Sequence, residues 1–127
     1  AGGSERILVV EDEESVREVS VTILQDQGYQ VVEAADGKQA IRLLKNGQPF
    51  DLLFIDVVLP GGLNGVEIAE QAKRIQPGVK TLYTTGYAEN AVVHHGRLAP
   101  GVTLVTKSYR RAELLEKVRN ILDDTTT

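Results

Sequence analysis

The chain has 127 residues, 14 Lys and Arg against 18 Asp and Glu, and a formal net charge of −4. With 42% hydrophobic and 25% charged residues it reads as one globular domain, with no room for a second core. The lack of cysteine excludes disulfides, thiolate metal sites and cysteine nucleophiles, the acidic balance argues against non-specific nucleic-acid or anionic-membrane binding, and no apolar run approaches the ~20 residues of a membrane span.

A reducing, cytoplasmic setting fits this composition, and no secretory signal opens the chain. Methionine is absent even at position 1. Ala1-Gly2-Gly3-Ser4 therefore reads as a cloning remnant ahead of a domain cut from a longer protein. Residues 1–5 are expected outside the folded unit, 6–122 within it, and 123–127 as a tail or the start of a linker.

In chain order, Ile7-Leu8-Val9-Val10 is a continuous apolar run, the pattern of a parallel strand covered on both faces. Val16, Val19 and Ile23 then form a helical stripe that Gly28 can close in a left-handed conformation. Val31-Val32 reads as the second strand. Asp36-Gly37 opens a helix carrying Ala40, Ile41 and Leu44. Asn46-Gly47-Gln48-Pro49 breaks the chain before a third strand, Leu52-Leu53-Phe54-Ile55. Val66, Ala69 and Ala72 mark the third helix, and Gln76-Pro77-Gly78 precedes a strand around Val79 to Tyr83. A weaker helix is expected over Glu89 to His95, a fifth strand over Val102 to Val105, and a clear final helix on Leu114, Leu115, Val118, Ile121 and Leu122. Strands alternating with helices give a parallel sheet with helices on both faces.

In such sheets ligands bind beyond the carboxyl ends of the strands. Glu11 and Asp12 follow the first strand, Asp56 ends the third, Thr84-Thr85-Gly86 follows the fourth and Lys107 the fifth. Helix capping accounts for Glu13 and Glu14. It does not account for Asp56, a carboxylate at the mouth of a buried strand facing two others, which repel unless a cation intervenes. Oxygen-only ligands select a hard cation, and Mg²⁺ needs only one or two carboxylates besides water and phosphate oxygens. The Lys107 ammonium can pair with a carboxylate or an incoming phosphoryl group, and Thr85 can hydrogen-bond a bound anion.

From Arg6 to Leu122 the sequence resembles a bacterial response-regulator receiver domain. The matching residues are Ile7 to Asp12, Leu53 to Pro60, Asn64-Gly65, Thr85-Gly86 and Thr106-Lys107. The resemblance implies a doubly wound, flavodoxin-like five-stranded sheet of order 2-1-3-4-5. It implies that Asp56 accepts a phosphoryl group from a phosphohistidine. Glu11, Asp12, Asp56 and the Val58 carbonyl would hold Mg²⁺, Thr85 would bind a phosphoryl oxygen as the switch hydroxyl, and Lys107 would pair with Asp56 and then with the phosphoryl group. The implied partners are a histidine kinase or histidine phosphotransfer domain. A homodimer or output partner would use the face from Tyr87 to Arg119, with Tyr109, Arg110 and Arg111 prominent.

The sequence departs from the family pattern in places. Leu104 stands where many receivers carry an aromatic, so switching is expected to work by other packing. Ser108 replaces the common proline after the lysine, implying a modest rearrangement of that loop. The loop from Pro60 to Gly65 is one residue longer than the commonest form and resembles that of receivers fused to hybrid histidine kinases. Val58 and Tyr87 flank the acceptor position and are expected to slow hydrolysis, whereas His94-His95 reads as a surface pair.

The leading expectation is a phosphorylation-controlled signalling domain with at most weak self-phosphorylation and dephosphorylation. The main rival is a pseudo-receiver, a phosphorylation-independent interaction module. A Mg²⁺-dependent aspartyl phosphatase fits poorly, because Val58 stands where an acid-base aspartate is needed. A flavin carrier also fits poorly, because Glu11 to Glu14 would repel its phosphate.

Overall fold

A computed structural model describes residues 5–59, 64–85, 104–106 and 109–123. Its strands are β1 (Arg6–Val10), β2 (Gln30–Ala34), β3 (Leu52–Asp56), β4 (Lys80–Thr85) and β5 (Leu104–Thr106). Its helices are α1 (Glu14–Asp26), α2 (Gly37–Lys45), α3 (Gly65–Ile75) and α4 (Arg111–Asp123). The strands form one parallel sheet of order β2-β1-β3-β4-β5, as the alternation and the resemblance predict.

The continuous apolar runs are explained by two cores, one on each side of the sheet. Ile7 and Val9, with Leu52, Phe54, Leu82 and Val105, pack against Val21, Leu24, Leu114 and Val118 of α1 and α4. The intervening Leu8 and Val10, with Leu53, Ile55 and Tyr83, pack against Ala40, Leu44, Ile68 and Ala72 of α2 and α3. Successive side chains in a strand point to opposite faces, so a strand covered on both sides needs apolar residues at every position. Each fully buried Leu or Ile contributes roughly 1.5–3 kcal/mol.

The predicted punctuation sits where the chain turns. Gly28 takes φ 103° after α1, a left-handed conformation that glycine adopts at no steric cost. Asp36 Oδ1 accepts the Gln39 amide at 2.8 Å at the start of α2. Asn64 and Glu67 close a reciprocal capping box on α3, with bonds of 2.9 and 3.0 Å.

Some boundaries differ from the sequence reading. β4 starts after Val79 and runs on through Thr85, and α4 extends into Asp123. The expected helix over Glu89 to His95, and the first two positions of the expected fifth strand, lie outside the described residues. Glu13 occupies the N-cap position of α1, but its side chain makes no cap bond. Instead Glu11 Oε2 accepts the Glu13 amide at 3.0 Å. No helix among the described residues is long and apolar enough to cross a membrane.

Opposite the carboxyl ends of the strands, Arg119 joins the two ends of the fold. Its guanidinium donates to Glu5 Oε2 at 2.7 Å, Asp123 Oδ1 at 2.8 Å and the Tyr29 hydroxyl at 3.2 Å. The hydrogen bond from Arg119 holds the Glu5 carboxyl below its ordinary value of 4.5. A carboxylate depressed by folding stabilises the protein above its unfolded pKa, and that stability is lost as pH falls through the folded value. Glu5→Gln is therefore expected to cost about 1 kcal/mol at pH 7. In denaturant titrations at stepped pH, the gap from wild type should close below pH 4.5. A gap that persists unchanged in acid would show that packing alone is lost.

A carboxylate cluster at the strand ends

The ends of β1 and β3 lie side by side at the centre of the sheet, with Val10 paired to Ile55. The next residue on each strand is therefore acidic, Glu11 beside Asp56. Glu11 is 2% exposed and Asp56 fully buried, whereas Asp12 is exposed. One carboxylate oxygen from each of Glu11, Asp12 and Asp56 lies within 4.8 Å of the others. Two unit charges at that spacing repel by roughly 3 kcal/mol at an effective dielectric near 20.

The backbone around the cluster is held by named bonds. The Glu11 amide continues the ladder to Ala34 O at 3.1 Å. Arg17, one turn into α1, donates from Nη1 to the Glu11 carbonyl at 2.8 Å and from Nε to Glu33 Oε1 at 3.1 Å. It thereby ties the loop carrying Glu11 and Asp12 to α1 and β2. Asp56 Oδ1 accepts the Val58 amide at 3.0 Å, which sets the orientation of that carboxylate. The Val57 carbonyl accepts the Gly65 amide at 2.7 Å, docking the start of α3 onto the end of β3. A Cβ on Gly65 would lie 2.9 Å from the Asp56 carbonyl carbon and from Val57 Cα, so glycine is required by backbone-to-backbone packing.

Of the sequence-predicted site residues, Glu11, Asp12 and Asp56 come together, and Val58, two positions after Asp56, is 47% exposed. Thr85 ends β4, fully buried and paired with Thr106. Lys107 lies outside the described residues, as do Gly86, Tyr87, His94, His95 and Ser108. Leu104 pairs across the ladder with Tyr83, which is buried in the core facing α2 and α3. An aromatic ring on that face is thus supplied by β4. Burial, reinforced by the negative charge of Glu70, pushes the Tyr83 phenol above its ordinary pKa.

Two neighbours of the cluster have no role in the sequence reading. Arg17 could have been sought as the first basic residue one helical turn beyond the acidic loop. Thr84 is named there with the strand end, as one half of the polar doublet that closes β4, but is given no task.

The donor set is hard, anionic and all oxygen, with two of three carboxylates withdrawn from water. It suits a small divalent cation that retains several waters. Thiolate and imidazole metals find no ligands in this cluster.

The family model described as the response regulator receiver domain matches residues 7–119. The chain is 31% identical over 122 residues to the sensor kinase CckA of Brucella abortus, covering 95% of this chain but only 13% of that kinase. It is 30% identical to the response regulator receiver protein CpdR of the same organism, covering 92% of this chain and 96% of CpdR. Among solved structures it superposes on the receiver domain of the Pseudomonas aeruginosa sensor histidine kinase PA1611 with a TM-score of 0.81. That pair shares 27% identity over 96% of this chain and 100% of the other, whose crystal structure has a magnesium ion coordinated in the active site cleft.

Proposed function

Since this chain belongs to the response regulator receiver domains of two-component systems, we propose that it is a phosphoacceptor whose acceptor is Asp56. Receivers are signalling domains that work with histidine kinases or phosphotransfer proteins, and the reading adds which atoms act. The observation that carries it is the convergence of Glu11, Asp12 and Asp56 within 4.8 Å, with Asp56 fully buried at the end of the central strand β3.

In this reading an Asp56 carboxylate oxygen attacks the phosphorus of a phosphohistidine. The P–N bond breaks, the imidazole leaves with the electron pair, and an aspartyl phosphate remains. Such transfer depends mostly on positioning and charge neutralisation. Glu11, Asp12 and Asp56, with the Val58 carbonyl, would hold Mg²⁺, which when bound supplies positive charge to the phosphoryl oxygens. Arg17 keeps the Glu11 carbonyl in place, and the Val58 amide orients Asp56. Thr85 and Lys107 are assigned to the phosphoryl oxygens by their match to the family pattern. Self-phosphorylation from a small phosphodonor would use the same groups slowly.

The receiver unit is assigned to residues 6–122, extended at each end by Glu5 and Asp123, which Arg119 ties into the fold. Within the proposed partner or dimer face from Tyr87 to Arg119, Lys117 and Arg119 are engaged inside the domain, on Leu104 O and on Glu5 and Asp123. Arg110 and Arg111 are exposed, Arg111 in a loose 3.6 Å ion pair with Asp26, and are the better contacts for an acidic partner surface.

The test is calorimetric titration of the free domain with Mg²⁺. One saturable event is expected, weakened on the order of tenfold in Asp12→Asn. No binding by the wild type would favour the pseudo-receiver, which Leu104 and Ser108 favour slightly and the intact set of Glu11, Asp12, Asp56, Thr85 and Lys107 opposes.

A further inference from the structure

Thr84 is a buried polar residue that the assignments above leave without a task. It pairs in register with Asp56 on one side and with Val105 on the other. Registered residues of parallel strands project to the same face, and neighbouring strands lie about 4.8 Å apart. The row beneath confirms the face, since Phe54, Leu82 and the flanking Val105 share one apolar core against α1 and α4. The Thr84 side chain therefore stands one strand spacing from Asp56, on the side opposite Glu11.

Its backbone is satisfied, the carbonyl accepting the Val57 amide at 3.0 Å. Its side chain is not. Thr84 is 4% exposed, and Oγ1 has no hydrogen-bond partner among the described residues. A buried hydroxyl without a partner is costly, and buried polar groups in native proteins are rarely left so. Valine would fill the same space, suit the strand better and match the apolar row beneath. The hydroxyl is therefore a cost to the free protein that packing does not explain.

Resting on the reading of Asp56 as acceptor, we propose that the Thr84 hydroxyl is a further positioning group of the site, donating its proton to an oxygen of the phosphoryl group carried on Asp56. The free domain holds an unsatisfied donor, and phosphorylation supplies its acceptor. Because the bond exists only in the loaded state, its whole value favours that state.

Thr84→Val then has two effects of opposite sign. Removing the unsatisfied hydroxyl raises the melting temperature of the ligand-free protein, by about 4 °C. Removing the donor weakens binding of a phosphoryl mimic, on the order of tenfold. A residue with only a packing role would shift the first quantity and leave the second alone. Thr84→Ser retains the hydroxyl and should bind within about twofold of wild type.

The experiment is a thermal melt of each ligand-free protein, followed by calorimetric titration with beryllofluoride in saturating Mg²⁺. A higher melting temperature with weaker binding in Thr84→Val, rescued in Thr84→Ser, is the expected result. Equal affinity in wild type and Thr84→Val overturns the role of Thr84 alone. So does a lower melting temperature in Thr84→Val, which would show the hydroxyl already satisfied. Failure of the wild type to bind beryllofluoride overturns the acceptor reading, and this one with it.

Discussion

Incubation with Mg²⁺ and acetyl phosphate is expected to add one phosphoryl group to the wild type and none to Asp56→Asn, as read by intact mass. The substitution exchanges a carboxylate for an amide of almost the same size at a fully buried position, so it tests nucleophilicity more than packing. The Val58 amide at 3.0 Å can still be accepted by the side-chain carbonyl oxygen of asparagine. What disappears is the anionic oxygen that forms the new bond to phosphorus, so labelling should fall below detection rather than decline modestly. Glu11 and Asp12 make the comparison informative, because either carboxylate lies close enough to be a decoy acceptor. An adduct of undiminished amount in Asp56→Asn would move the acceptor to one of them. No adduct in either protein, together with no beryllofluoride binding, would leave an interaction module with an acidic mouth.

Much of this site was legible because it depends on strand ends. Four apolar residues followed by Asp56 place a carboxylate at the mouth of a strand with only local reasoning. The same holds for Val10-Glu11-Asp12, and the strand order makes the two ends neighbours. What was hidden depends on register or on contacts distant in sequence. Thr84 matters because it pairs with Asp56, and a shift of one residue would exchange it with Thr85. Gln76 reads as a turn residue, yet its amide bonds Leu44 O and Gln48 O while its carbonyl accepts the Phe50 amide. Arg119 looks like one more charge on a helix until Glu5 is found 114 positions away. Glu13 and Glu14 do stand at the N-cap and in the first turn of α1, where the macrodipole favours acidic residues. Sequence alone could not show that the Glu13 side chain makes no cap bond and that its amide is instead held by the buried Glu11 carboxylate.

Gly65→Ala should be the most damaging single-methyl change in the described part of the domain. The added Cβ would point into the Asp56 carbonyl and lie 2.9 Å from both the Asp56 carbonyl carbon and Val57 Cα. At Gly37 the comparable obstacle is the flexible end of the Ile68 side chain, which can rotate away. At Gly65 both obstacles are backbone, and that backbone is the end of β3 itself. Relief requires α3 to withdraw, which lengthens the 2.7 Å bond from the Gly65 amide to Val57 O, or β3 to shift, which moves Asp56. Overpacking of this kind costs about 3 kcal/mol, against which the slightly better helix propensity of alanine is a small return. Denaturant unfolding should show that loss. The diagnostic measurement is Mg²⁺ affinity in the fraction that remains folded. If α3 withdraws, the carboxylates keep their spacing and binding survives; if β3 shifts, binding falls along with stability. The capping box of Asn64 and Glu67 stiffens only the start of α3 itself, whereas β3 is held by ladders to β1 and β4 on both sides. The helix is therefore the softer partner, and lost stability with retained Mg²⁺ binding is the expected result.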